Sequence, residues 1–258
     1  MNKSAFLAVA VALAFASPLS PANANTGAMK PDSALEAAAF EKQIDVLTAK
    51  YEAFQIAAAE DENFRKNGLN RLRVMSAVKP MTASTPNFVL SLGGEIVLDK
   101  IGPYLRRSDD DSAIAFMSVL TKILSVGSSD ESICRTFLNS ADNKAVSDGD
   151  NQRLESILGP AFYDEMAVAL GSVMRTGRSG KERTLPKSES EAAIIEMVTI
   201  MMDKYGKESA ASLAAFNDKS TPPLQKCTTM SQMMNSIAGL KKPDQAGLIR
   251  TLFGMDDT

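Results

Sequence analysis

Apolar residues recur at intervals of three and four along almost the whole of this chain, and this helical period limits its fold more than any other feature. Long runs that alternate apolar and polar residues, which are typical of half-buried strands, are missing. The stretch after Asp109-Asp110-Asp111 is the clearest case, because acidic residues suit the start of a helix. Its apolar residues share one face: Phe116, Val119, Leu120, Ile123 and Leu124. The sequence therefore predicts an all-α fold, a single helical domain of about eight to ten helices over residues 25–258.

Capping residues and prolines predict where several of these helices begin. Ser128 with Glu131, and Ser188 with Glu191, have the spacing of a capping box. A helix predicted over Ala161–Met174 lies between them. For the helix after Ser188 we expect one core face, made of the residues Ile194, Val198, Met201 and Tyr205.

The first two dozen residues have the three parts of a secretory signal peptide. Lys3 gives a basic start, the residues from Ala5 to Ala16 are all apolar, and Ala22-Asn23-Ala24 offers small residues to a signal peptidase. Twelve apolar residues are fewer than the roughly 20 that span a bilayer. We expect a signal peptide over residues 1–24 and a periplasmic or secreted protein, with an N-terminal membrane anchor as the alternative.

Charge and export together argue against nucleic acid as a partner. The formal net charge of the full chain is −3, and removal of Lys3 with the signal peptide makes it more negative. Binding to phosphate backbones requires a basic surface. No later apolar run reaches spanning length, so we expect no transmembrane span after cleavage. Since nucleic acid is disfavoured and the chain is expected to be exported, we expect its partner to be another protein in the periplasm or envelope.

Two cysteines, Cys134 and Cys227, are the only ones in the chain. An even number in an oxidising compartment predicts a disulfide. This bond connects the middle of the chain to its C-terminal part and favours one domain over two. Two free thiols are the alternative.

The chain has no histidine, which removes several kinds of chemistry. Ser-His-Asp and Cys-His catalysis both need an imidazole base, and most zinc sites use histidine. A disulfide also leaves no thiolate nucleophile. We therefore expect a protein that is not an enzyme and that needs no cofactor and no metal.

Glu155 offers one enzymatic alternative. Glu155-Ser156 resembles the catalytic Glu-Ser of the lytic transglycosylases, which act on the cell wall, and a glutamic acid can serve as the general acid of glycoside cleavage. The Gly-Leu-Met-Gln-like segment of that family is absent downstream, where Gly159-Pro160 stands instead. The resemblance covers two residues.

Two methionine groups at helical spacing offer a third interpretation. Thioethers can bind Cu(I), and a Met-rich helix pair could also enclose a lipid, so a small-ligand carrier is an alternative function. Methionines beside Ile237, Ile194 and Val198 are equally typical of a core stripe, which is the reading we favour. The methionines concerned are Met197, Met201, Met202, Met230, Met233 and Met234.

The segment 175–188 is the longest turn-rich stretch, and it is basic. Its cations are Arg175, Arg178, Lys181, Arg183 and Lys187, with Glu182 as the one acid. Such a loop can contact an acidic partner or an anionic envelope surface, or it can be a mobile linker. We interpret the chain as an exported, non-catalytic protein-binding domain. One version is a periplasmic immunity or inhibitor protein that blocks a toxin or an envelope enzyme.

Overall fold

The structure, a computed structural model, describes residues 41–42, 45–46, 48–60, 63–64, 66, 101–141, 153, 156–216, 218 and 220–253. The predicted signal peptide, Glu155 and its predicted role as a general acid lie outside these residues.

Nine helices can be delimited within the described ranges, and no strand occurs there. The predicted all-α class is confirmed. The helices are α1 (Glu52–Glu60), α2 (Ile101–Arg107), α3 (Asp110–Gly127), α4 (Glu131–Ala141), α5 (Pro160–Arg178), α6 (Lys187–Tyr205), α7 (Glu208–Ala214), α8 (Pro223–Ile237) and α9 (Lys242–Phe253).

Helix α3 is the centre of the packing. It contacts α5, α8, α9 and α4, while α5 also packs on α1 and α2, and α6 packs on α7, α8 and α9. The apolar face predicted for α3 is buried along its whole length, including Phe116, Leu120 and Leu124. The buried apolar residues of the described segments form one hydrophobic cluster around this helix.

The start of α3 follows the sequence prediction, whereas the start of α4 does not. The carboxylate of Asp109 accepts a hydrogen bond from the backbone N–H of Ser112 at 2.8 Å, as an N-cap does. At α4 the expected cap Ser128 instead ends α3, and its hydroxyl donates to the carbonyl of Ser125. Asp130 caps α4, because its carboxylate accepts from the backbone of Ser132 at 3.0 Å.

The segment 175–188 is not one loop, which corrects the sequence prediction. Helix α5 continues through Arg175 to Arg178, and α6 already begins at Lys187, one residue before the expected cap Ser188. Only residues 179–186 between the two helices are non-helical. We call these eight residues the connector.

The core face predicted for α6 is also wrong in part. Met201 is buried as expected, but Ile194 is 38% exposed, and Val198 and Tyr205 are half-buried. The face that packs against α8 and α9 carries instead Ser190, Ala193 and Met197 with Met201. Helix α6 is apolar on more than one side, so its periodicity does not select a single face.

Helices α4 and α8 are joined by the cysteines. The Sγ atoms of Cys134 and Cys227 lie within bonding distance, in agreement with the predicted pairing. Both cysteines are fully buried in the hydrophobic cluster. Among the described residues, no helix has the length and apolar character needed to cross a membrane.

Candidate binding surface

The connector is held against two helices. The backbone N–H of Arg183 donates to the carbonyl oxygen of Arg106, at the end of α2, over 2.9 Å. Two residues further on, Leu185 packs against the hydrophobic cluster and lies over Gly247 of α9, where a Cβ would overlap the leucine side chain. The connector therefore has defined neighbours on both sides.

Close backbone approach fixes the beginning of the connector as well. A Cβ on Gly180 would overlap the carbonyl oxygen of Arg107, and a Cβ on Gly177 would overlap that of Tyr104. Glycine is needed where two backbones come this close, because any side chain would push them apart. These two contacts place the end of α5 and the connector directly on α2.

This arrangement brings cations from two parts of the chain together. Arg106 and Arg107 end α2, and Lys181 and Arg183 lie on the neighbouring connector. We call these four residues the basic ledge. Lys181 and Arg183 are exposed, whereas Arg106 and Arg107 are half-buried. Guanidinium groups donate paired hydrogen bonds that match carboxylates, so the ledge suits an acidic protein surface.

Local contacts orient Arg107 within the ledge. Its Nε donates to the carbonyl of Pro103 at 3.0 Å, and its guanidinium lies 5.9 Å from the centre of the Tyr104 ring. Both arginines stand at the C-terminal end of a helix, where positive charge is favourable.

The other three predicted contact residues, Arg175, Arg178 and Lys187, lie on the two helices that flank the connector. Arg175 forms an ion pair with Glu52 at 2.7 Å, and Arg178 forms one with Glu60 at 2.8 Å. The hydroxyl of Tyr104 donates to the same Glu60 carboxylate. These two arginines join α5 to α1 through ion pairs whose arginine side chains remain exposed. Lys187, on the first turn of α6, lies 3.9 Å from Glu191 of the same helix and keeps a 91% exposed side chain.

A third ion pair joins α5 to the residues just before α1. Lys50 lies 2.9 Å from Asp164, which also accepts a hydrogen bond from Tyr51. Hydrogen bonds with Tyr51 and Asp164 raise the pKa of Lys50 to about 12. Hydrogen bonds from Tyr51 and Lys50 hold the pKa of Asp164 below its ordinary value.

Sequence reasoning missed Arg106 and Arg107. They are adjacent in sequence at the end of a predicted helix, which is a common position for solvated cations. Their association with the connector depends on contacts about 75 residues apart in the chain, between Arg106 and Arg183. Two glycines in a basic segment, Gly177 and Gly180, were the available signal that a backbone lies close by.

The aspartates near the ledge are already engaged with partners. Asp110 pairs with Arg250 at 2.6 Å, and Asp111 pairs with Lys242 at 2.6 Å. Burial acts to raise the pKa of Asp109, but hydrogen bonds from Ser112 and the nearby charges of Arg183 and Arg250 hold it below its ordinary value. Asp109 therefore keeps its charge and offsets part of the charge of Arg183.

The methionine groups belong to the core. Met197, Met201, Met230, Met233 and Met234 are each at most 3% exposed and lie in the hydrophobic cluster. Met202 is half-buried. This placement agrees with core packing and leaves the thioethers enclosed by apolar neighbours.

Within the described part of the chain, no group of three or more His, Cys, Asp or Glu residues is arranged to hold a metal ion. Comparisons of this chain with protein-family models, with curated proteins and with solved structures each found no match.

Proposed function

We propose that this chain is an exported, non-catalytic protein-binding domain and that its basic ledge receives an acidic surface of another envelope protein. The observation that carries the proposal is the position of Lys181 and Arg183. Both are exposed on a connector that is held on α2 by backbone contacts and on α9 by the side chain of Leu185. Binding residues are commonly found on short segments that a rigid scaffold positions.

The charges around the ledge favour the same role. Arg175 and Arg178 are paired with glutamates of α1, and Asp110 and Asp111 are paired with cations of α9. The exposed cations of the ledge are Lys181 and Arg183, with Glu182 between them in the chain and the charge of Asp109 near Arg183. A surplus of one sign steers an oppositely charged partner and raises its association rate.

The cysteine pair supports an oxidising compartment, and therefore a protein partner outside the cytoplasm. The cysteine pair is of the kind that persists under oxidising conditions. An immunity or inhibitor protein that blocks a toxin or an envelope enzyme is the specific version of this function. A small-ligand carrier is less well supported, because the methionines that suggested it fill the core.

Site-specific photo-crosslinking in the native envelope can test the proposal. A photoreactive residue at position 181 should give a discrete crosslinked species with one protein. Purified, that protein should bind the wild-type chain, and Arg183→Glu with Lys181→Glu should weaken its binding at least about tenfold, since several charge contacts are reversed. Affinity should also fall with added salt, because exposed charges are screened.

Lys207 provides the matched control. It is an exposed lysine at the far end of α6, about 28 Å from the connector by the length of that helix. A photoreactive residue there should give no crosslink to the same protein, and Lys207→Glu should leave affinity unchanged. Equal crosslinking at both positions would contradict the proposal. Charge-dependent binding to anionic vesicles alone would identify the envelope lipid surface as the target instead.

A further inference from the structure

One row of side chains on α6 points away from the other described helices. The row follows every fourth residue and consists of Lys187, Glu191, Ile195, Thr199 and Asp203. All five are exposed, and Ile195 at the centre is 68% exposed. We call this row the α6 ridge. Its direction is opposite to the buried face with Ala193, Met197 and Met201, so it stands clear of α8 and α9.

A second, apolar row runs beside the ridge. Ile194 is 38% exposed, and Val198 and Met202 are half-buried. The groove between this row and the ridge is therefore apolar on one wall over about two turns. Single exposed apolar residues are ordinary on protein surfaces, so the groove alone does not identify what binds in it.

The charges at the two ends of the ridge identify the occupant. Lys187 and Asp203 each lie eight residues from Ile195, about 12 Å on either side of it along the helix axis. Their charges are opposite. When a second, identical ridge is placed beside the first in the opposite direction, Lys187 lies opposite Asp203 at both ends. A two-fold interface requires this kind of self-complementarity.

We propose that a second copy of this chain docks on this face, through an antiparallel contact between the two α6 helices with a two-fold axis at Ile195. Packing of every-fourth-residue ridges gives a crossing angle near −50°, the commonest class in globular proteins. At this crossing the two ridges run alongside each other in opposite directions. Ile195 meets Ile195 of the second copy, and Lys187 meets Asp203 of the second copy.

The parallel arrangement of the same two helices is disfavoured. It would oppose Lys187 to Lys187 and Asp203 to Asp203, and like charges across an interface repel each other. In the antiparallel arrangement Glu191 faces Thr199, an uncharged hydrogen-bonding residue. This dimer surface shares no residue with the basic ledge, so the two proposals can fail independently.

Charge reversal can test the dimer on the folded mature chain. A contact one helix wide lies at the small end of the interface range, so we expect weak association that sedimentation should follow between about 5 and about 500 µM. Lys187→Glu alone and Asp203→Lys alone should each raise the dimer dissociation constant at least about tenfold. An equimolar mixture of the two variants should form a heterodimer, because both ion pairs are then restored.

Two further variants make the result decisive. Ile195→Glu should abolish the dimer, whereas Val168→Glu, at a 67% exposed valine on α5, should not change it. Circular dichroism should show that all variants keep the helix content of the wild type. A wild-type chain that stays monomeric over the whole range would overturn the proposal. So would a mixture of the two charge variants that associates no better than either variant alone.

Discussion

Arg250, which is 3% exposed in α9, donates a hydrogen bond to Asp110 at the start of α3 over 2.6 Å. The two partners differ in their contact with water, since the aspartate side chain is 35% exposed. The Nε of Arg250 has no hydrogen-bond partner. The pair therefore joins the last helix to the central one, with Asp110 as the hydrogen-bonded carboxylate of this buried cation and the charge of Asp109 nearby.

This asymmetry predicts unequal effects of removing either partner. Asp110→Ala should lower the free energy of unfolding by up to about 3–5 kcal/mol, because it leaves a buried guanidinium without its hydrogen-bonded carboxylate. Arg250→Met should cost less, because the remaining carboxylate reaches solvent. The double variant should be more stable than Asp110→Ala alone. Chemical denaturation of the three variants tests this order, and a double variant that sums both single losses would contradict it.

The disulfide should contribute strongly to stability. Cys134 and Cys227 are 93 residues apart in the chain, and a bond across such a loop stabilises by about 4–5 kcal/mol in the chain-entropy model. The Cys134→Ala/Cys227→Ala variant should lose about this amount in denaturant unfolding. Reductant should destabilise the wild type to a similar extent and leave the variant unaffected. A wild type indifferent to reductant would show that the bond does not act in this way.

The close contact between α5 and α2 makes Gly177 intolerant of a side chain. Gly177→Ala should destabilise the chain by about 1–3 kcal/mol, because the new methyl group overlaps the backbone of Tyr104 and the helices must shift. Gly127→Ala is the control. Its Cβ would meet its nearest neighbour at 3.8 Å, an ordinary contact, so the change should be neutral or stabilising by up to about 1 kcal/mol. Equal melting temperatures for the two variants would contradict the close contact between Gly177 and the backbone of Tyr104.

The cap of α3 should make stability depend on acidity. Asp109→Ala should cost about 1 kcal/mol at neutral pH, the usual value for a lost N-cap. The pKa of Asp109 in the folded chain lies below its ordinary value of 3.8. The stabilisation from its charge is therefore complete above that value and is lost as the pH falls through the lower, folded pKa. The free energies of unfolding of the wild type and of Asp109→Asn can be measured across the acidic range. The difference between these two free energies should shrink toward low pH.

Helix α3 was predictable from the sequence because its cap and its period agree. Asp109 stands before the first apolar residue, and Phe116, Leu120 and Leu124 follow at helical spacing on one side only. For α6 the period is ambiguous, since Ile194, Ile195 and Val198 spread apolar surface around the helix. Packing against α8 and α9 then selects Ala193 and Met197 for the core.

The end of α5 was mispredicted for a different reason. Arg175-Thr176-Gly177-Arg178 has the composition of a turn. Its helical state is supported by partners distant in sequence: Glu52 and Glu60 pair with the arginines, and Tyr104 lies against the glycine. These partners make Arg175 and Arg178 part of the contact between α5 and α1, which no local pattern in the segment indicates.

The attachment of the connector has a consequence for the thermodynamics of binding. Gly180, Arg183 and Leu185 contact α2 and α9, so Lys181 and Glu182 between them have little backbone freedom left to lose. A flexible loop loses conformational entropy when it becomes ordered on association. In this chain the connector loses that entropy during folding, before any partner binds. A partner of the ledge should therefore bind with a small heat-capacity change and with an association rate governed by ionic strength rather than by loop rearrangement.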